Sequence, residues 1–388
     1  MANHRRAFDA EAMGAAMDDV NVEDQARARA VCRRFLPADR LELLPLGAGF
    51  SGARVFAVRP AAGRGADARF VCKAFADGVD ETRARWIHHL MRGLRGAGVL
   101  EVPEVARTAD GDTIVTDPSG IHWELIEFRA GTPTDAPTAA QAQAALQTLA
   151  RLHVAAAGLV GPVMGPPPAV ARRLQIAERM IRQPWDALRC PRSRAAEPDP
   201  GEVSGDDLRA RLDAAVHRFA TVGPRVLSWF SRVGFPRLPL QPVLRDVWAE
   251  HVLFREGGPA VGGIVDYHAA GIDTPATDLA RLLGSWRPPD ATGRSTDPTA
   301  WETILAAYHR LRPLSVAERA VLPVLMATGV VFGLDNWFRW LIEEKRRFHQ
   351  PERVLGRIDR LLEDLPAALD FLAVQADRGG LTGGNCSL

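Results

Sequence analysis

The chain has 388 residues, of which 47% are hydrophobic and 24% are charged, so it can bury a large core as one enzyme or as a few smaller domains. Lysine and arginine total 48 and the acidic residues 47, which gives a formal net charge of +1. This balance excludes a general attraction to nucleic acid or to an anionic membrane, so any phosphate-binding site must be built locally.

The apolar runs and the cysteines both indicate an intracellular protein. Residues 1–20 lack the apolar core of a signal peptide, and the longest apolar run, Val321 to Leu334, is shorter than a bilayer-spanning segment. We therefore expect a soluble cytoplasmic protein with no membrane partner and no nucleic-acid partner. The cysteines lie far apart without CxxC spacing, which favours reduced thiols over a zinc site or a disulfide framework. They are Cys32, Cys72, Cys190 and Cys386.

The first part of the chain is predicted to be rich in strands. Residues 1–40 form an N-terminal extension with one amphipathic helix, Val22 to Leu36. Residues 41–128 alternate short β-type runs with clusters of Gly, Asp and Pro, and one helix, Glu81 to Leu94, interrupts them. This pattern predicts a small lobe built on strands.

The second part of the chain is predicted to be mainly helical. Residues 129–375 carry apolar positions at helical spacing, with an island of three short strands in QPVLRDVWAEHVLFREGGPAVGGIVDY. Residues 376–388 are glycine-rich and are expected to form a flexible tail. The fold class predicted from these patterns is α+β, with two unequal lobes.

A glycine-dense segment, LGAGFSGARVFAV, is the first candidate for phosphate binding. Its residues Gly47, Gly49, Ser51 and Gly52 would let backbone N–H groups approach an anion. A glycine-rich hairpin is by itself more often only a hairpin, and the segment has neither the GxxxxGK[ST] pattern of a P-loop nor the helix that follows in a dinucleotide fold.

Lys73, in the strand-like run RFVCKAF, is the second candidate. Only Lys73 and Lys345 are lysines among the 48 cationic residues, and this favours a phosphate contact at Lys73 over an exposed strand lysine. Glu81, on the predicted helix that follows, is the candidate carboxylate partner of this lysine.

Two acidic residues stand at the ends of apolar runs, Asp246 in LRDVWAEHVLF and Asp266 in GGIVDYH. Phosphoryl transfer needs one carboxylate to orient the acceptor, another to hold a metal ion on the phosphates, and a cation on the remaining charge. Asp246, Asp266 and Lys73 fit these roles in that order. Arg245 is a candidate contact to an anionic acceptor or phosphate, and a structural ion pair is the alternative.

Taken in order, these segments resemble the aminoglycoside phosphotransferase and homoserine kinase-like family, whose members are distant relatives of protein kinases. The resemblance runs over about residues 44–345. It rests on the glycine-rich loop, Lys73, ELIEFRAGTP, LARLHVAA, RDVWAEHVLF and IVDYHAAGIDTPATDLARLL. It implies a protein-kinase-like fold, with a small antiparallel-sheet N-lobe and a larger, mainly helical C-lobe.

The same resemblance implies the roles of individual residues. Asp246 looks like the catalytic base, Asp266 like the metal ligand, and the backbone around Glu127 and Phe128 like the hinge that contacts adenine. The implied cofactors are ATP and Mg²⁺, with Mn²⁺ as an alternative metal. Asp278 is interpreted as a residue at a helix start that braces the catalytic loop, and His153 as a packing or capping residue.

The catalytic loop departs from the family pattern, which usually reads HGDxHxxN. Leu244, Arg245, Trp248 and His251 stand where that pattern has His, Gly, His and Asn. An imidazole nitrogen at the Asn position is a poorer ligand for Mg²⁺ than for Mn²⁺. Three interpretations of His251 stay open: it ligates metal in a changed geometry, it donates to a phosphate, or the site is catalytically degraded.

The sequence predicts transfer of the γ-phosphoryl group of ATP to a hydroxyl of a small molecule that it does not identify. The variable segments 161–240 and 287–375 show no acidic cluster of the kind that a polycationic aminoglycoside would invite. A nucleotide-binding pseudokinase, acting as a regulatory or interaction module, is the alternative that the rebuilt loop suggests. A metal hydrolase is disfavoured because HxH and HExxH spacings are absent. The oligomeric state is not predicted.

Overall fold

The structure is a computed structural model. It describes residues 22–36, 41–46, 54–60, 69–76, 79–189, 202–287, 301–348, 350–379 and 381. The chain divides into two compact units, one of residues 1–130 with 263–268 and one of residues 131–262 with 269–388. The four predicted glycine-loop residues, Gly47, Gly49, Ser51 and Gly52, lie outside the described residues, as do Cys190 and Cys386.

The first unit is built on a five-stranded antiparallel sheet with the strand order β1-β2-β3-β5-β4. The strands are β1 (Leu41–Pro45), β2 (Val55–Pro60), β3 (Phe70–Ala74), β4 (Val115–Thr116) and β5 (His122–Glu127). In the register of this sheet, Lys73 on β3 stands opposite Glu124 on β5. Directly opposed residues in an antiparallel pair share a face, so the two side chains leave the sheet on the same side.

Helix α1 (Val22–Phe35) forms because its apolar residues recur at helical spacing. Its buried positions are Ala28, Val31, Cys32 and Phe35, and they share a core cluster with sheet residues such as Phe56 and Trp123. Acidic residues in its first turn and arginines in its last turn complement the helix dipole. Helix α2 (Glu81–Gly96) begins at the Asp80 cap, where the Asp80 side chain accepts from the backbone N–H of Arg83.

The second unit is mainly helical. Its helices are α3 (Ala139–Val160), α4 (Pro168–Arg182), α5 (Gly205–Phe219), α6 (Gly223–Phe230), α7 (Pro275–Ser285), α8 (Glu302–His309), α9 (Val316–Ile342) and α10 (Pro351–Asp377). The strands of the predicted island are β7 (Leu238–Val243), β8 (Val252–Phe254) and β9 (Val261–Ile264), and β6 (Val163–Gly165) and β10 (Gly271–Asp273) flank β7 in an antiparallel sheet. The small strand-rich unit and the larger helical unit confirm the predicted α+β class.

One boundary differs from the sequence-based expectation. Helix α10 continues through Asp377, so regular structure extends into the segment 376–388 that was predicted as a tail. Helix α9 starts at a Ser315–Glu318 capping box and contains the whole apolar run from Val321 to Leu334. By length and composition α9 could cross a membrane, but most of its apolar window is buried against other helices, as in a core helix.

A buried carboxylate joins three segments of the helical unit. Asp335 on α9 accepts from Arg339 Nε at 3.0 Å and from the Trp185 indole Nε1 at 3.1 Å, and it also pairs with Arg179 on α4. Asp335 and Arg339 are both buried. Such a pair is tolerated because each charge has its partner, and removing one partner leaves the other uncompensated.

We therefore expect Asp335→Asn to lower the free energy of unfolding by about 3 kcal/mol, because Arg339 loses its buried counter-ion. Urea denaturation of the wild type and the variant measures this loss. The control is Arg225→Gln, which removes the exposed ion pair with Asp377 and should cost less than about 1 kcal/mol. Equal losses in the two variants would show that the buried network carries no special stability.

Candidate functional site

Lys73 and Asp266 form an ion pair inside the first unit. Lys73 Nζ donates to Asp266 Oδ1 at 2.7 Å, and the lysine is almost buried while the Asp266 side chain is about one-third exposed. Asp266 follows β9 and has a φ of 63°, an uncommon left-handed conformation for a residue with a side chain. A carboxylate can accept from a lysine and ligate a metal ion at the same time, since it offers several lone-pair directions on its two oxygens.

The structure corrects the expected partner of Lys73. Glu81 accepts from Arg85 one turn later on α2, and Arg85 also pairs with Asp112. This cluster is exposed, and Glu81 lies in the first turn of the helix, where Arg85 is the cation within its reach. The carboxylate that holds Lys73 is therefore Asp266.

The predicted hinge is engaged in hydrogen bonds within the first unit. The backbone N–H of Glu127 donates to the Glu104 carbonyl at 2.7 Å, and that of Phe128 donates to the Arg69 carbonyl at 2.9 Å. The Glu127 carboxylate pairs with Arg129 at 2.7 Å and with Arg95. An adenine base would have to use other backbone groups of this segment, and the assignment of the hinge stays a prediction.

A buried polar network, which the sequence analysis missed, anchors the segment that carries Asp266. Glu124 accepts from His268 Nε2 at 2.8 Å and from His88 Nε2 at 2.7 Å. The ring of His268 also stacks on Phe75, with 4.2 Å between centroids. His268 was interpreted from the sequence as local packing, whereas here it joins the segment after β9 to β5 and, through Glu124, to α2.

The electrostatics of Glu124 follow from these two contacts. Burial alone would raise the pKa of its carboxyl, but the neighbouring His268 and His88 outweigh this effect and hold the pKa well below its usual range. Both histidines donate through Nε2, so the carboxylate is ionised and satisfied although it is buried. The network fixes the position of His268, two residues beyond Asp266.

The loop that carries Asp246 is held by a buried carboxylate in the second unit. Asp278, in the first turns of α7, accepts from the backbone N–H of Leu244 and from that of Arg245, each at 2.7 Å. Arg245 has a φ of 65°, so these bonds hold a strained backbone. His153 donates to Asp278 at 3.1 Å through Nε2, while its Nδ1 lies 2.7 Å from the Tyr308 hydroxyl. The bracing role expected of Asp278 is what the structure shows.

His153 is a neutral part of this support. Burial lowers the pKa of His153 and raises the pKa of Tyr308, so the imidazole stays neutral and the phenol keeps its proton. The neutral ring donates from Nε2 to Asp278 and accepts at Nδ1 from the Tyr308 O–H. His153 lies inside α3 and does not cap it, so it is a specific hydrogen-bonding residue as well as a packing one.

Asp246 itself is oriented but accessible. Its Oδ1 accepts from the Trp248 indole Nε1 at 2.7 Å and lies 3.7 Å from Arg281 Nε, and its side chain is 46% exposed. Arg245, the other catalytic candidate, instead donates to the Ile272 carbonyl at 2.8 Å and lies near Asp273. These contacts support the structural alternative for Arg245, and its role as an acceptor or phosphate contact stays a prediction.

His251 supports the same loop from inside. Its Nδ1 lies 2.8 Å from the Asp246 carbonyl oxygen, and a carbonyl can only accept, so Nδ1 carries the proton. The Trp248 backbone nitrogen lies 3.5 Å from the same Nδ1 atom, so His251 contacts the loop backbone at two points. The role of His251 toward a metal ion or a phosphate stays a prediction.

No group of three or more His, Cys, Asp or Glu side chains that could hold a metal ion occurs among the described residues. The predicted ligands Asp266 and His251 belong to different units. Magnesium in phosphotransferases is usually held by one or two carboxylates together with the nucleotide phosphates, so such a cluster is not required. Both assignments stay predictions.

The comparison with known proteins decides the family. The sequence profile of the phosphotransferase enzyme family, known as APH, matches residues 42–314. The chain belongs to this family. A homoserine kinase of Gluconacetobacter diazotrophicus is 31% identical over 268 residues, which cover 63% of this chain and 79% of that protein. A homoserine kinase of Hyphomonas neptunium is 26% identical over 303 residues, which cover 76% of this chain and 82% of that protein.

Solved structures of the family share the fold. A spectinomycin phosphotransferase in complex with ADP and spectinomycin aligns with a TM-score of 0.57 and 12% identity, over 91% of this chain and 98% of that one. A microcompartment-associated aminopropanol kinase aligns with a TM-score of 0.53 and 14% identity, over 91% and 99%. The protein-kinase-like fold expected from the sequence is confirmed, and the chain is a phosphotransferase of the small-molecule kinase type.

The Glu124 network generates a prediction about stability and pH. A carboxyl whose pKa is lowered by folding stabilises the folded state above its unfolded pKa, which for a glutamate is near 4.5. That stabilisation is lost as the pH falls toward the lower folded pKa. We expect Glu124→Gln to reduce the free energy of unfolding by about 3 kcal/mol at neutral pH. We expect this deficit to shrink by up to about 1.4 kcal/mol per pH unit below the unfolded pKa.

Urea denaturation at a series of pH values between neutral and acid measures this effect. The matched control is Glu104→Gln, because the Glu104 side chain is 70% exposed and should leave the acid profile parallel to that of the wild type. A Glu124→Gln profile parallel to the wild type at all pH values would mean that the carboxylate does not titrate with a lowered pKa.

Proposed function

We propose that this protein transfers the γ-phosphoryl group of ATP to a hydroxyl group of a small molecule, with Asp246 as the residue that orients and deprotonates the hydroxyl. The observation that supports this role most directly is the state of Asp246. Its carboxylate is fixed by Trp248 and half exposed, on a loop held by Asp278. A base must be both accessible to its substrate and fixed in direction, and Asp246 meets both requirements.

The chemistry requires little more from Asp246 than position. In phosphoryl transfer the acceptor oxygen bonds to the γ-phosphorus while the bond from phosphorus to the bridging oxygen breaks, and ADP leaves. The proton of the acceptor hydroxyl passes to the Asp246 carboxylate as the new bond forms. Because Trp248 donates to Oδ1, the carboxylate keeps one rotamer through this step.

Lys73, Asp266 and His251 supply the groups for the nucleotide and its metal in this proposal. Lys73 would contact phosphate oxygens, and Asp266 would hold Mg²⁺ on the phosphates. His251 stays a predicted metal ligand, and its imidazole would also suit Mn²⁺. Support for a nucleotide and a divalent cation comes from relatives of the same fold. An amicoumacin kinase was solved with AMP-PNP and Ca²⁺, and the spectinomycin enzyme with ADP.

The acceptor in this proposal is a small hydroxylated compound of about the size that homoserine kinases use. The curated relatives with 26–31% identity carry that name. The retained set of Asp246, Asp266 and Lys73 favours turnover over the pseudokinase alternative. Use of ATP is consistent with the cytoplasmic location that the sequence predicts.

Two substitutions separate the acceptor half of the reaction from the nucleotide half. Asp246→Asn should lower kcat by about 10²- to 10⁴-fold, because the hydroxyl loses its base, with MgATP affinity unchanged within about twofold. Asp266→Asn should weaken MgATP binding by at least about tenfold, because the metal loses a charged ligand. Coupled ADP release with homoserine and other hydroxyl acceptors measures turnover, and calorimetric titration of ATP with Mg²⁺, Mn²⁺ or EDTA measures binding.

The control for both is Glu256→Gln, an exposed carboxylate ten residues beyond Asp246, which should stay within about twofold of the wild type in both assays. Wild-type turnover in Asp246→Asn would show that another residue is the base. Absence of ATP binding with every metal would refute the proposed donor.

A further inference from the structure

Two arginines converge on one tryptophan beside Asp246. The guanidinium of Arg281 on α7 lies 4.4 Å from the centre of the Trp248 ring, and that of Arg357 on α10 lies 4.0 Å from it. The indole N–H of the same residue donates to Asp246. Trp248 therefore positions two cations and the candidate base together.

The two guanidiniums are only loosely paired with carboxylates. Burial lowers the pKa of Arg281, and it lowers that of Arg357 to about 10, an effect that Glu250 opposes and that Arg360 and Arg281 strengthen. Among the described residues no direct ion pair holds Arg357, and the Asp246 carboxylate lies 3.7 Å from Arg281 Nε. These loose contacts leave N–H donors of both guanidiniums for a further anion.

Neighbouring arginines differ from Arg281 and Arg357 because each of them has hydrogen-bond or ion-pair partners in the fold. Arg360, on the same helix as Arg357, pairs with Asp135. Arg173 on α4 donates to Thr328 Oγ1 and to the Leu325 carbonyl. Arg281 and Arg357 instead stack on the aromatic face of Trp248, and this contact fixes the positions of their guanidinium groups. Stacking uses none of the N–H donors, so the donors stay able to bind an anion.

We propose that Arg281 and Arg357, held on Trp248, bind an anionic group of the acceptor, a carboxylate or a phosphate, while the hydroxyl of the same molecule meets Asp246. This inference rests on the proposed function and narrows its substrate class to short hydroxylated acids. A guanidinium pair recognises such oxygens through charge-assisted hydrogen bonds. The same charges repel a polycation, which agrees with the absence of an acidic cluster in the variable segments.

The geometry limits the size of this acceptor. Asp246 Oδ1 lies within 3.7 Å of Arg281, so the hydroxyl and the anionic group must be separated by only a few bonds. Trp248 stands where the family's loop usually has a histidine. The tryptophan that holds both arginines is therefore one of the positions at which this chain departs from the family pattern.

Paired acceptors and matched variants test the inference. Turnover is compared between L-homoserine and its neutral-ended analogue homoserinol, and between glycerate and glycerol. We expect the carboxylate member of a pair to be preferred. In Arg281→Gln and Arg357→Gln, the KM for the carboxylate acceptor should rise about 10- to 100-fold, with the KM for ATP within about twofold of the wild type.

The control is Arg353→Gln, because Arg353 is exposed and lies one turn before Arg357 on α10. It should leave both KM values unchanged. Equal use of the neutral and carboxylate acceptors, with no effect of the arginine substitutions, would overturn the inference and leave the proposed phosphotransfer intact. A rise in the KM for ATP instead would assign the anion to the nucleotide phosphates and would overturn it as well.

A second measurement does not depend on turnover. Inorganic phosphate should raise the melting temperature of the Lys73→Ala protein at constant ionic strength. It should raise it less, or not at all, when Arg281→Gln and Arg357→Gln are added. No rise in the Lys73→Ala protein, or the same rise in both proteins, contradicts an anion site at these arginines. Because no acceptor and no ATP are present, this result stands even where phosphotransfer itself fails.

Discussion

The loop that carries Asp246 depends on one buried carboxylate. Arg245 has a backbone conformation that costs free energy, and it persists because Asp278 accepts from its N–H and from that of Leu244. Asp278 is itself held by His153, which is neutral because it is buried. The direction of Asp246, its contact with Trp248 and the contact of His251 with the Asp246 carbonyl all presuppose this arrangement of the loop.

Local patterns made much of the fold predictable. Helix α1 follows from apolar residues at helical spacing, and α3 from its Thr138–Gln141 capping box and its alanine- and leucine-rich sequence. The strand island was recognised from short apolar runs separated by turn residues. The C-terminal end of α10 was less predictable, because the helix continues through Asp377 into a segment whose composition predicts a tail.

The site was predictable only where its chemistry stands in a continuous motif. Lys73, Asp246 and Asp266 were found because each ends or interrupts an apolar run. Glu81 was paired wrongly with Lys73, because the sequence shows that this acid stands on the following helix and does not show the direction of its side chain. The contacts of Glu124 join residues 36 and 144 positions away, and the arginines on Trp248 come from separate helices, so no local spacing reveals them.

Trp248 contacts the candidate base and both arginines, and this joint role has an evolutionary consequence. A substitution at this position would change the direction of Asp246 and the location of the positive charge in one step. With the proposed roles of these residues, a single change at Trp248 would alter acceptor preference and reaction rate together. Changes in α7 and α10, the helices that carry the two arginines, would alter the preference while the tryptophan and the candidate base stay in place.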